Sequence, residues 1–126
     1  MKKVLLDTSI IIDFLRRKDK ENSLLFKFAE EDLYSSIITH TELYAGKSVW
    51  VSKIAQSELE DLFSGIKIVP LDENISKKAG HIKAHYKNSS LIDCIIASTA
   101  IYHTLELVTL NVRDFSSIKE LKLFID

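Results

Sequence analysis

Four acids stand where carboxylates can do chemistry: Asp7, Glu42, Asp93 and Asp114. Asp7 ends the wholly apolar run Val4-Leu5-Leu6, Glu42 and Asp114 follow the apolar runs at Ser35-Ser36-Ile37-Ile38 and Leu107-Val108-Thr109-Leu110, and Asp93 heads the Ile- and Ala-rich segment Ile92 to His103. Each has an innocent explanation. Asp7 can cap the helix after its strand, Glu42 completes a capping box opened by Thr39, Asp93 completes one opened by Ser90, and Asp114 can cap a turn at Phe115. Negative charge near a helix N-terminus is favourable by about 0.3–1 kcal/mol, so none of them needs chemistry when taken singly. The joint pattern is different, because three of the acids follow separate strand-like runs.

The elements that must position these acids can be read from the spacing of apolar residues. Short apolar runs at Val4–Leu6, Ser35–Ile38, Ile66–Val69, Leu107–Leu110 and Leu121–Ile125 read as five strands. Between them lie helical patterns: Ile11 to Leu15, Leu24 to Ala29 with Leu25, Phe28 and Ala29 inward, and Thr39 to Ala45. Another runs from Lys47 to Phe63 with Val51, Ile54, Leu59, Leu62 and Phe63 near one face and Gly65 as its stop. The last two are a helix capped by Asp72 that carries Ile75, Ala79, Ile82 and Tyr86, and the central segment Ile92 to His103. Strands separated by helices imply an α/β fold, one domain over residues 1–126, with a five-stranded parallel sheet and helices on both faces. In such sheets the crevice beyond the carboxyl ends of the strands binds ligands.

Acids gathered there would repel. Two carboxylates about 4 Å apart cost about 4 kcal/mol at an effective dielectric of 20, so a cluster of three or four must take up protons or cations. All-oxygen ligands suit Mg²⁺ or Mn²⁺ rather than zinc, and such ions position and activate water for phosphodiester cleavage.

Composition sets the outer bounds. The chain has 126 residues, with 17 Lys and Arg against 18 Asp and Glu, so its charge of −1 excludes a basic nucleic-acid coat. Any nucleic-acid role needs local positive patches, for which Arg16, Arg17, Lys18 and Lys20 form one candidate and Lys77, Lys78, Lys83 and Lys87 another. Each is equally the solvated face of a helix. The single Cys94 forms no internal disulfide and reads as a packed thiol. Asp7 and Asp13 interrupt the only signal-like stretch, and no apolar run approaches a membrane span. The expected compartment is the cytoplasm.

Leu5-Leu6-Asp7-Thr8-Ser9, Thr41-Glu42-Leu43-Tyr44-Ala45-Gly46, Asp93 to Ala100 and Val108 to Phe115 together resemble the PIN-domain nucleases, and in particular the VapC-like ribonuclease toxins. The resemblance implies an acidic site of Asp7, Glu42, Asp93 and Asp114, with Asp7 and Asp93 the firmest metal ligands and Thr8 and Asn111 supporting them. It further implies RNA as substrate, hydrolysed by metal-activated water, a homodimer, and a small antitoxin that blocks the site. Asn111 stands where many relatives carry an acid, and Cys94 replaces a common alanine.

Other features point elsewhere. His81 and His85 have the spacing of a zinc pair but lack further ligands. Val49, Trp50 and Val51 cannot all face one core, so Trp50, with Tyr44, marks a candidate partner surface. A phosphoacceptor receiver would need paired acids after the first strand, and a haloacid-dehalogenase-like phosphatase a second acid at Ser9. The non-enzymatic rival is a catalytically silent PIN-like module that binds RNA or protein.

Overall fold

The computed structural model covers residues 1–126 and is built on four parallel strands: β1 Lys3–Leu6, β2 Asp32–Ser36, β3 Lys67–Val69 and β4 Glu106–Val108. They run side by side in the order β3-β2-β1-β4. The chain therefore builds outward from β1 on one side through β2 and β3, then returns to place β4 on the other side of β1. That reversal puts the topological switch point between β1 and β4, where Asp7 leaves the sheet.

Beyond the exposed Lys3, β1 is apolar because both of its faces are covered. Side chains alternate across a strand, so Val4 and Leu6 enter one core while Leu5 enters the other. The first core is closed by helices α1 (Thr8–Arg16), α2 (Leu24–Lys27), α3 (Ile37–Tyr44) and α5 (Lys53–Ser64), through Ile10, Ile11, Leu25, Leu43, Leu59 and Phe63. The second is closed by α6 (Glu73–His85), α7 (Leu91–Tyr102) and α8 (Val112–Phe115), through Ala79, Ile82, Ile96, Ala97, Ala100 and Phe115. The remaining helix, α4 (Lys47–Val51), joins α3 to α5. Buried Ser98 donates its hydroxyl to the Ile75 carbonyl at 2.7 Å, tying α7 to α6.

Several sequence expectations are corrected here. The fifth strand at Leu121–Ile125 is reduced to one bridge, Leu107 to Leu123, with Leu107 N–H donating to Lys122 and Phe124 N–H to Leu107, both at 2.9 Å. β4 is only three residues long and offers little further edge. Ile37 and Ile38 belong to α3 rather than β2, because the Ser36 side chain accepts from Ile38 N–H and starts the helix there. The expected Thr39–Glu42 capping box is therefore absent, and Thr39 lies inside the helix. The long helix from Lys47 to Phe63 is two helices broken at Ser52, whose hydroxyl caps α5. The break turns Val51 and Ile54 into solvent while Leu59 and Phe63 stay buried. Ala29 lies beyond the end of α2 and is exposed, whereas Leu25 and Phe28 are buried as expected. Asp72 caps α6 and Ser90 caps α7 as the spacing implied. No helix is long and apolar enough to cross a membrane.

Candidate functional site

The parallel register builds the site. Leu6 pairs with Val108, so the next residues, Asp7 and Thr109, leave the sheet side by side, and Asp7 N–H donates to the Val108 carbonyl at 3.0 Å. Asp7 is buried and caps α1 through Thr8 N–H at 2.7 Å. Its other oxygen accepts the hydroxyls of Thr109 at 2.6 Å and Ser9 at 3.1 Å. Thr109 in turn accepts Asn111 N–H at 2.9 Å, and Ser9 accepts Leu110 N–H at 3.1 Å. One carboxylate thus locks the end of β1, the start of α1 and the loop after β4. The cap uses one carboxylate oxygen and the network the other, so capping leaves Asp7 free to organise its neighbours as well.

Glu42 enters from α3. Its carboxylate accepts the Thr8 hydroxyl at 2.7 Å, and that hydroxyl lies 3.1 Å from the Thr39 hydroxyl. Thr39 and Glu42 are three residues apart and share a helix face, which turns toward Thr8 because α3 starts at Ile37. Glu42 is otherwise exposed.

Asp93 lies half-buried in the first turn of α7, and Asp114 is exposed in the first turn of α8. Asp114 caps nothing, since α8 begins at Val112 with Asn111 before it. Burial pushes the Asp93 carboxyl above the usual carboxylate range. The Ser90 hydroxyl opposes that shift, and the like charges of Asp7, Asp114 and Glu42 reinforce it. The fold therefore brings all four acids into one electrostatic neighbourhood. As placed, no three acidic, imidazole or thiol side chains crowd closely enough to ligate one ion together. These two observations are compatible, because like-charge repulsion is felt over longer distances than a metal–oxygen bond spans.

The supporting residues divide. Thr8 links Asp7 to Glu42 through its backbone and its hydroxyl, whereas Asn111 contributes its backbone N–H and no side-chain hydrogen bond. Ser9, Thr39 and Thr109 are as firmly built into the network, and sequence reasoning gave them no such part. Their signal was weak: a hydroxyl directly after or near an apolar run, meaningful only once the register is known.

Half of the cations in the two basic patches are committed to the fold. Arg17 pairs with Asp13 at 3.0 Å and with Asp19 at 3.2 Å. Lys20 binds the carbonyls of Phe14, Leu15 and Arg17 at the end of α1. Lys78 pairs with Glu120, and Lys83 holds the carbonyls of Lys87 and Ser89. Only Arg16, Lys18, Lys77 and Lys87 in these patches make no side-chain hydrogen bond or ion pair. His81 and His85 face each other with ring centres 4.2 Å apart and gain no third ligand. Burial of Cys94 pushes its thiol upward, away from the reactive thiolate. Trp50 stays 64% exposed, held by a 2.7 Å bond from its indole N–H to the Tyr44 carbonyl.

A parallel sheet covered on both faces, with the buried carboxylate of Asp7 held at its switch point, makes this an α/β protein with a polar, hydroxyl-rich sheet edge. A profile of the PIN domain family matches residues 4–121, and the chain belongs to that family. Ribonuclease VapC19 of Mycobacterium tuberculosis is 31% identical over 124 residues, covering 94% of this chain and 96% of VapC19. Toxin FitB of Neisseria gonorrhoeae is 34% identical over 127 residues, covering 89% of this chain and 90% of FitB. A toxin-antitoxin complex from Klebsiella pneumoniae contains a chain that superposes with a TM-score of 0.76 at 28% identity, covering 97% of this chain and 96% of that one.

Proposed function

We propose that this chain is a Mg²⁺-dependent endoribonuclease, with Mn²⁺ as an alternative ion, and the toxin of a toxin–antitoxin pair. The observation that carries the reading is the hydroxyl network at the carboxyl end of β1, where Thr8 joins Asp7 to Glu42 and Thr109 joins Asp7 to the loop after β4, in a chain of the PIN domain family. The ribonuclease and toxin names of VapC19 and FitB support the activity and the biological role.

The donor set fits a hard divalent cation: four carboxylates, with the Thr8, Ser9, Thr39 and Thr109 hydroxyls gathered about Asp7 and Glu42. Mg²⁺ keeps several waters and takes one or two protein carboxylates, which suits acids that share a field without crowding one point. Asp7 and Asp93 would hold the ion, and Glu42 and Asp114 would complete the site. When bound, the cation activates water and neutralises charge developing on the phosphate. Asp7 is held in place by Thr109, Ser9 and Thr8, Glu42 by Thr8, and Asn111 supports the loop that carries Asp114. In the reaction a water oxygen bonds to phosphorus, the bridging P–O bond breaks, and a proton ends on the leaving oxygen.

The partners follow from the same reading: RNA as substrate, a small antitoxin, and a second copy of the chain in a homodimer. The exposed Trp50, Val51 and Ile54 supply apolar surface for a protein contact.

The test is cleavage of RNA with Mg²⁺, Mn²⁺ or EDTA by wild type and Asp7→Asn. Cleavage by wild type alone, abolished by EDTA, is expected. Equal cleavage by both proteins would assign the activity to a contaminant, and RNA or protein binding without cleavage would make the chain a silent PIN module.

A further inference from the structure

We infer that Arg16 is a substrate-positioning residue that grips an RNA phosphate where two surface grooves, one reaching Glu42 and the other Ser9, meet. The inference rests on the ribonuclease reading above and adds a named contact to it.

The first groove, about 320 Å³, runs between α1, α3, α4 and α5, with Glu42 and Glu58 in its wall and Arg16 its one cation. The second, about 440 Å³, passes along the other flank of α1, from Ser9 and Leu110 to Arg16. Glu42 belongs to the acid group, and Ser9 donates to Asp7. Both grooves therefore reach the site, and Arg16 lines both. Position in α1 agrees with this. Thr8 begins the helix and Arg16 ends it, about 12 Å further along its axis at 1.5 Å per residue.

Of the neighbouring cations, Lys18 is also unpaired but lines neither groove, and the other two cannot play the part without breaking internal bonds. Arg17 is held by Asp13 and Asp19, and Lys20 by three carbonyls. Arg16 is exposed and takes part in none of the ion pairs. A guanidinium presents five donors in a planar fork that matches two phosphate oxygens. An unpaired arginine in grooves that reach Glu42 and Ser9 also supplies the local positive charge that a phosphate backbone needs in a chain of net charge −1.

A plainer role is also open to a cation in the last turn of a helix, where it complements the helix dipole. Salt dependence separates the two. The experiment measures fluorescence anisotropy of a labelled, phosphorothioate-linked uridine RNA in Mg²⁺ from 50 to 200 mM salt, for wild type, Arg16→Ala and Arg16→Lys. Thermal melts of all three accompany it. Arg16→Ala should weaken binding about tenfold at the lowest salt, flatten the log–log salt slope by about 0.7, and leave the melt unchanged. Arg16→Lys should restore the slope but only part of the affinity. Unchanged affinity and slope in Arg16→Ala would overturn the inference, as would weakened binding that tracks a lowered melt. Failure of wild type to bind the RNA would overturn it too. Cleavage of the same RNA with natural linkages reports separately on the ribonuclease reading.

Discussion

The carboxylate of Asp7 is buried at the foot of a strand and accepts three hydrogen bonds, whereas that of Asp114 stands exposed in a four-residue helix and accepts none. Both belong to the group of like charges felt by Asp93. The difference lies in what each would lose by moving. Asp7 cannot turn without unsatisfying Thr109, Ser9 and the start of α1, and hydrogen bonds to a charged group are each worth about 1.5–3 kcal/mol. Asp114 can turn at almost no cost. The fold fixes Asp7 and leaves Asp114 adjustable, which on the proposed reading suits a site with one preorganised ligand and one that adapts to ion and substrate.

On the proposed reading, the largest effect that tests this contrast is at Asp7. Asp7→Asn keeps the shape of the side chain but removes the charge, and cleavage should fall on the order of a thousandfold. Single-turnover rates against Mg²⁺ concentration would show the loss, and a retained activity within tenfold of wild type would remove Asp7 from the site. Thr109→Val should come next. It leaves the Asn111 N–H without its partner and Asp7 with one fewer donor, costing about 1–3 kcal/mol of stability and about 10- to 100-fold in activity or metal affinity. Denaturant melts and metal titration measure the two losses independently.

Those hydroxyls also mark the limit of what the sequence discloses. The first apolar run and the acid after it were legible, because strand burial on both faces imposes a continuous apolar stretch at Val4–Leu6 and Asp7 is the first residue outside it. The alternation of Val4 and Leu6 against Leu5 between two cores follows from the same pattern. The start of α3 was not legible, since Ile37 and Ile38 fit a strand as well as a helix and only the Ser36 cap decides between them. Once that helix starts two residues earlier than expected, Thr39 moves from cap to interior and Glu42 turns toward Thr8. Thr109 was equally silent, because its meaning depends on the register of Leu6 with Val108, a long-range pairing that no local spacing encodes. The free and committed cations could not be told apart either, as pairing partners such as Asp13 and Glu120 are chosen by geometry.

Asp114→Asn is the sharper test of the adjustable side. With no hydrogen bonds to lose, the variant should melt as wild type does and lose about tenfold in cleavage at low Mg²⁺, recovering part of it as Mg²⁺ is raised. If Asp114→Asn proved more damaging than Thr109→Val, the preorganised and adjustable sides would have to be exchanged.

The smallest expected effect is a shift in stability, not in cleavage, at Asp93, which lies between the two extremes: half-buried, with like charges around it. Its carboxyl is pushed up first by burial and then by Asp7, Asp114 and Glu42, so the folded chain holds this proton more tightly than the unfolded one. By linkage, stability then falls as pH rises from the ordinary carboxylate value through the raised one, and the cost persists at neutral pH. Asp93→Asn carries no such charge. In EDTA it should therefore melt above wild type at pH 7, by less than about 1 kcal/mol given the exposure of the site, and the contribution of this charge should vanish on acidification. Mg²⁺ should reverse the order at pH 7, because a ligand that binds only the folded state stabilises it in proportion to ln(1 + [L]/Kd) and the variant binds it more weakly. Melts of both proteins at pH 4 to 7, with EDTA and with Mg²⁺, resolve the four corners of this cycle. If Mg²⁺ raised both melting temperatures equally, Asp93 would be a carboxylate strained by its neighbours and not a ligand they share an ion with.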